Sequence, residues 1–183
     1  MTVRRITKDA ILLALLCVTG MFSVPMGENI KVSLQLLTLF LIFGVTDSVY
    51  DKIIIPALYL LIGLVVPVYA GFQSGITPTF GFVISFVFCG IPFHFIYKYI
   101  KINESVRYVL ACLAALVVVY IIGTIFMMAY LHFELGKTLL IAVVPYLGFD
   151  ITKIAICTVI MKLLPDSVKK DNKNINSESK HDQ

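Results

Sequence analysis

Charge is what this chain has least of. Asp, Glu, Lys and Arg make up 14% of its 183 residues, against about 25% in an ordinary soluble domain. Hydrophobic residues make up 59%, and the mean hydropathy is +0.94. A soluble domain of this size has a large surface to cover with polar groups, and the sequence does not supply them. The shortage excludes a water-soluble globular protein and predicts a membrane protein of one domain. Collagen-like, disulfide-scaffold and disordered classes fall to the same numbers. No polar segment is long enough to build a large catalytic domain outside the membrane.

Catalytic and metal motifs are also missing. Cys17, Cys89, Cys112 and Cys157 stand singly in apolar segments, without a CxxC pair or a zinc spacing. There is no HExxH and no P-loop, so the chain cannot power transport alone by nucleotide hydrolysis. His94 and His132 are expected near opposite membrane faces. Gly148-Phe149-Asp150 is only faintly similar to an aspartyl intramembrane protease motif, because the glycine directly before the aspartate and a second intramembrane aspartate are both lacking.

What is present is long apolar sequence. No Asp, Glu, Lys or Arg stands between Lys52 and Lys98, or between Arg107 and Glu134. At roughly 20 residues per crossing, the pattern predicts an all-α integral membrane domain over 1–165. Its six transmembrane helices fall near 6–24, 34–46, 53–67, 78–97, 108–131 and 141–164. The second span is short, so it is tilted little or extended by an irregular entry at 29–33. Six spans put both termini on one side with Arg4, Arg5, Lys8, Lys52, Lys98, Lys101 and Arg107, while Lys31 and Lys137 fall opposite. The positive-inside rule then makes the termini cytoplasmic. The first apolar segment lacks a convincing signal cleavage site and is expected to be a retained helix. Residues 166–183, rich in Lys, Asn, Ser and Asp, are expected to form a disordered, solvated cytoplasmic tail.

Two ionisable residues interrupt the last span. A charge at the centre of a membrane helix costs about 2.5–3.5 kcal/mol on insertion scales, so Asp150 and Lys153 should face a cavity or each other. Their i, i+3 spacing puts them on one face of a continuous helix. The alternatives are a structural ion pair or a substrate or ion path. The preceding Pro145-Tyr146-Leu147-Gly148-Phe149 predicts a helix break that lines a cavity. Asp150 would then have the further option of capping the first turn after it. The uncharged loop 68–77 carries Tyr69, Gly71, Phe72, Gln73, Ser74 and Gly75. It is read as an outer turn or as a ligand contact that stacks and hydrogen-bonds a flat molecule. Ala10 and Ala14 give the first helix a small-xxx-small spacing that permits close helix approach.

Several segments resemble the BioY family, the substrate-binding S components of energy-coupling factor (ECF) biotin transporters. Val32-Ser33-Leu34-Gln35-Leu36-Leu37 resembles the family's V-T-L-Q-T-L. Leu58-Tyr59-Leu60-Leu61-Ile62-Gly63 and Pro67-Val68-Tyr69-Ala70-Gly71 resemble L-Y-L-L-L-G and P-V-F-A-G. Pro78-Thr79-Phe80-Gly81-Phe82 resembles P-T-G-G-Y, and Pro145-Tyr146-Leu147 with Asp150-Ile151-Thr152-Lys153 resembles P-F-L-P-G-D-L-L-K. Gly148 and Phe149 depart from that last pattern, and the loop before Pro78 is shorter than usual.

The resemblance implies high-affinity biotin binding without catalysis, by a six-helix S component in a bacterial cell membrane. It implies a transmembrane coupling subunit and two cytoplasmic ATPases as partners, with membrane lipid around the helices. No nucleic acid partner and no cofactor are expected. The implied ligand contacts are Asp150, Lys153, Tyr146, Tyr69, Gln73, Ser74 and Thr79, and the implied partner contacts are Ala10 and Ala14. Asp150 would accept the ureido N–H groups, and Lys153 would meet the ureido oxygen or the carboxylate. The alternatives are an S component for another vitamin, an intramembrane enzyme, or an assembly protein without a ligand.

Overall fold

The structure, a computed structural model, describes residues 3–25 and 31–165. The expected tail at 166–183 lies outside them, as do residues 29–30 of the expected entry segment. The described chain runs α1 (Val3–Met21), β1 (Ser23–Pro25), β2 (Lys31–Ser33), α2 (Gln35–Val45), α3 (Val49–Val65), α4 (Phe80–Tyr99), α5 (Glu104–Leu131), α6 (Leu135–Ala142) and α7 (Val144–Leu163). The described residues are helical apart from loops, an isolated Tyr69–Gln73 bridge and the short antiparallel β1–β2 pair, which sets Ser23 opposite Ser33. Among the described residues, α4, α5 and α7 are long and apolar enough to cross a membrane.

The short α2 has a physical reason. Residues on every side of it, from Gln35 and Leu36 to Gly44 and Val45, are buried. A helix that is apolar all round belongs in the middle of a bundle, and α1, α3, α4 and α7 pack against this one. Its eleven residues span roughly 17 Å at 1.5 Å per residue. It is a protein-enclosed core helix, entered from β2 through Leu34.

The long helices turn apolar side chains outward. Leu110, Leu113, Val117, Ile121 and Ile125 are exposed along α5, as are Leu147, Ile151, Ile156 and Val159 along α7. Polar and charged side chains lie inside, among them Gln35, Thr38, Lys52, Thr124, Asp150 and Lys153. A soluble protein would avoid so large an apolar surface, whereas hydrocarbon solvates it.

Two glycines lock α4 to α5. A Cβ on Gly81 of α4 would strike the Phe126 side chain of α5, and one on Gly123 of α5 would strike the Phe82 ring of α4. Each phenylalanine therefore fills the space that the opposite glycine leaves. At the end of the bundle that holds the start of α1, Arg5 pairs with Asp51 at 2.5 Å and Lys8 Nζ donates to the Val45 carbonyl. The buried Lys52 there donates to the carbonyl and hydroxyl of Thr46.

One expectation is corrected. The break predicted within Pro145–Phe149 lies earlier, at Val143, whose φ of −121° and ψ of −57° separate α6 from α7. Pro145 sits in the first turn of α7, where its missing N–H removes no intrahelical bond. It starts the helix instead of breaking it. Asp150 is therefore not a cap. The amide N–H groups of Tyr146 and Leu147 already bond the Val143 carbonyl. The eight-residue α6 before the break was not expected either.

Gly123→Val would force a branched side chain into Phe82. Overpacking typically costs about 1–3 kcal/mol, so this variant should melt below the parent protein in detergent. Adding Phe82→Ala should recover part of the loss. Equal melting temperatures for Gly123→Val and the parent would show that the α4–α5 seam is not locked at this point.

Candidate functional site

The intramembrane acid and base meet. Because α7 is continuous from Val144, Asp150 and Lys153 share one face, and Lys153 Nζ donates to Asp150 Oδ1 at 2.7 Å. Asp150 is 4% exposed and Lys153 7%. The second carboxylate oxygen is engaged from across the bundle: the Tyr120 hydroxyl of α5 donates to Asp150 Oδ2 at 2.6 Å. Tyr120 was missed by sequence reasoning. The available signal was a phenol in the middle of an apolar helix, since a buried tyrosine hydroxyl normally has a partner.

This arrangement has spare capacity. An ionised carboxylate presents about four acceptor positions and an ammonium three donors. The observed bonds use one acceptor position on each oxygen and one N–H of Lys153. The pair can therefore receive N–H donors and a carbonyl or carboxylate acceptor from a ligand while staying paired. Tyr146 stands one turn before Asp150 on the same face of α7, half-buried.

The loop residues form a second group. Tyr69 and Gln73 are bridged by two backbone bonds, Tyr69 N–H to the Gln73 carbonyl at 3.0 Å and the reverse at 3.3 Å. Gly71 and Phe72 close the turn with φ of 74° and 59°. Glycine adopts that conformation freely, whereas a bulky residue there is an outlier. The Phe72 ring is exposed. Backbone strain of this kind persists where the surroundings over-determine it and clusters at ligand clamps and switches.

Tyr69 points inward. Its ring packs where a Cβ on Gly63 would otherwise stand, and its hydroxyl donates to the Leu60 carbonyl at 2.7 Å. It lies edge-on to Tyr59 and tilted against Phe80, and Phe80 in turn meets Phe126 of α5. Gln73, Ser74 and Thr79 are exposed, and the Thr79 and Thr77 hydroxyls bond each other at 3.1 Å. The hydrogen bonds of the loop and those of the α7 pair form separate groups, with α5 touching both through Phe126 and Tyr120.

A buried chain of polar groups ties the loop to the hairpin end of the bundle. Ser33 Oγ donates to Gln35 Oε1, Gln35 Nε2 donates to the Tyr59 hydroxyl, and that hydroxyl donates to the Val68 carbonyl at 2.8 Å. Gln35 is 5% exposed and Tyr59 fully buried. Gln35 and Tyr59 belong to segments that carry the family resemblance, although neither was expected to act in the site. On α1, Ala10 and Ala14 are both exposed, one turn apart on the outer face.

Comparison with known proteins agrees with this architecture. The biotin transporter BioY of Thermotoga maritima is 26% identical over 161 residues, which cover 86% of this chain and 93% of that protein. A crystal structure of the S component for biotin from an ECF-type ABC transporter superposes with a TM-score of 0.76 at 20% identity. The superposition covers 88% of this chain and 92% of that one, and the likeness shows a common fold. The family model described as the BioY family matches residues 1–170, and the chain belongs to that family.

Proposed function

We propose that this protein is the biotin-binding and uptake subunit, the S component, of an ECF-type vitamin transporter. It crosses a bacterial cell membrane six times with both termini in the cytoplasm. A transmembrane coupling subunit and two cytoplasmic ATPases energise it, and it catalyses no reaction itself. The observation that carries the reading is a buried, spare-valenced Asp150–Lys153 pair in a chain that matches the BioY family over residues 1–170. The distribution of basic residues supports the orientation.

In this reading Asp150 accepts the ureido N–H groups, and Lys153 donates to the ureido oxygen or the carboxylate of biotin. Tyr146 flanks the pair. Tyr69, Gln73, Ser74 and Thr79 belong to the loop that covers the site from outside, with Tyr69 shaping it from within. Purified protein should bind biotin tightly, and excess biotin should raise its melting temperature. Binding of riboflavin or thiamine in place of biotin would assign a different vitamin to the same fold.

Removing one member of a buried pair leaves the other charge uncompensated, typically at a cost of about 3–5 kcal/mol. Asp150→Ala and Lys153→Ala should each weaken biotin binding at least about a hundredfold. Asp150→Asn keeps the shape and removes the charge and one acceptor, so it should weaken binding too. Calorimetry measures the affinities, and melting temperatures without ligand identify variants that merely misfold. Near-native biotin affinity in well-folded alanine variants would reduce the pair to a structural role.

The exposed Ala10 and Ala14 support a docking seam for the coupling subunit, because close helix approach needs small side chains. Ala10→Trp with Ala14→Trp should weaken co-purification with the coupling subunit and leave biotin affinity unchanged. Full co-purification of the double variant would move the seam elsewhere.

A further inference from the structure

Among the described residues, two buried side-chain polar atoms have no hydrogen-bond partner, Arg107 Nε and Thr124 Oγ1. The Arg107 guanidinium lies over the Tyr97 ring, 4.6 Å from its centroid, and so has a favourable contact of another kind. Thr124 has no such substitute. Its residue is 5% exposed, and its hydroxyl is the orphan.

The orphan hydroxyl departs from the habit of this protein. A threonine in a helix ordinarily turns its hydroxyl back to the carbonyl four residues earlier. Thr19, Thr138, Thr152 and Thr158 all do so, at 2.8–3.0 Å. Thr124 does not take the equivalent bond to Tyr120. A buried hydroxyl left unbonded costs free energy, and unsatisfied buried groups are rare enough that each calls for a reason.

Its position supplies one. Helices α5 and α7 run antiparallel, with Glu104 and Ser105 beside Met161 and Lys162 at one end and Tyr120 against Asp150 further along. Thr124 follows Tyr120 by one turn on the same face, roughly 6 Å along the axis. Tyr146 precedes Asp150 by the same interval on α7. The levels therefore match: Tyr120 with Asp150, and Thr124 with Tyr146. One turn beyond the occupied Tyr120–Asp150 bond, the same edge of α5 presents a second hydroxyl with nothing to bind.

We infer that Thr124 is a ligand-contacting residue, whose hydroxyl hydrogen-bonds a polar group of the bound biotin on the α5 side of the Asp150–Lys153 site. A hydroxyl can donate to an oxygen or accept from a ureido N–H, so it suits either polar end of that molecule. The inference rests on the biotin-binding reading.

The test compares Thr124→Val and Thr124→Ser with the unaltered protein by calorimetric titration with biotin, alongside melting temperatures measured without ligand. Valine keeps the shape and removes the hydroxyl, and serine keeps the hydroxyl. Thr124→Val should bind biotin about tenfold more weakly, the scale of one lost hydrogen bond. Its unliganded melting temperature should be unchanged or higher, because the group removed has no hydrogen-bond partner within the protein. Thr124→Ser should restore most of the affinity. A hydroxyl with a purely structural role would give the opposite pattern, a lower unliganded melting temperature with affinity intact. Tight biotin binding by both the parent and Thr124→Val would overturn this inference and leave the proposed function standing. Failure of the parent to bind biotin would overturn both.

Discussion

Charges that lie away from water must be neutralised by the protein itself. Hydrocarbon offers neither donors nor acceptors, so a polar group there is bonded internally or destabilises the fold. Asp150 meets this condition with two partners on two helices, Lys153 on its own and Tyr120 on α5. The bond to Tyr120 fixes how α5 and α7 sit against each other, because a turn of α5 about its axis would strip Oδ2 of its donor. The same condition governs the opposite end of the bundle, where Arg5 meets Asp51 and Lys52 is held by Thr46. These contacts join α1 to α3 and close the α2–α3 turn.

Satisfying a buried pair across two helices requires the helices to hold their register, and small residues provide it. The reciprocal contacts of Gly81 with Phe126 and Gly123 with Phe82 set α4 against α5. Three residues before Gly123, α5 presents Tyr120 to Asp150. The same rings extend through Phe80 to Tyr69 in the loop. Packing at one seam thus reaches both polar groups of the site. Outside this core, the apolar side chains of α5 and α7 face outward, and inside it polar and charged groups such as Gln35, Lys52 and Asp150 are set among buried aliphatic and aromatic side chains.

Much of this can be read in the sequence. Long uncharged intervals locate the helices because a membrane crossing requires them, and the observed α2, α4 and α5 lie close to the expected spans. The Asp150–Lys153 pair is legible because intramembrane charge is rare and its spacing fits a helix. Other features are not. Val143 breaks the last helical segment through a backbone conformation that no residue type announces, and Pro145 signals a start as readily as a break. Tyr120 and Thr124 acquire meaning only when α5 is set against α7, and that setting depends on glycine–phenylalanine contacts between α4 and α5. The inward turn of Tyr69 depends on the space above Gly63, in a different element. Sequence spacing reveals neighbours on one helix, whereas these contacts lie between helices.

The pairing of Asp150 with Lys153 also bears on how an empty site can exist. A lone buried carboxylate would be costly until a ligand arrived, and the ligand would have to offset that cost before gaining any affinity. Joined to Lys153, the carboxylate belongs to a net-neutral unit, and its burial costs correspondingly less. On the proposed function, biotin adds hydrogen bonds at the unused acceptor and donor positions, and the charges need not separate for it to enter or leave. Charge-assisted bonds in a dry site are strong, so on that proposal affinity is high while the enclosure is intact and falls when water reaches the pair. On the same proposal, release depends on opening the bundle around α7 and leaves the ion pair in place. On the proposed function, the partner ATPases drive that rearrangement from outside this subunit.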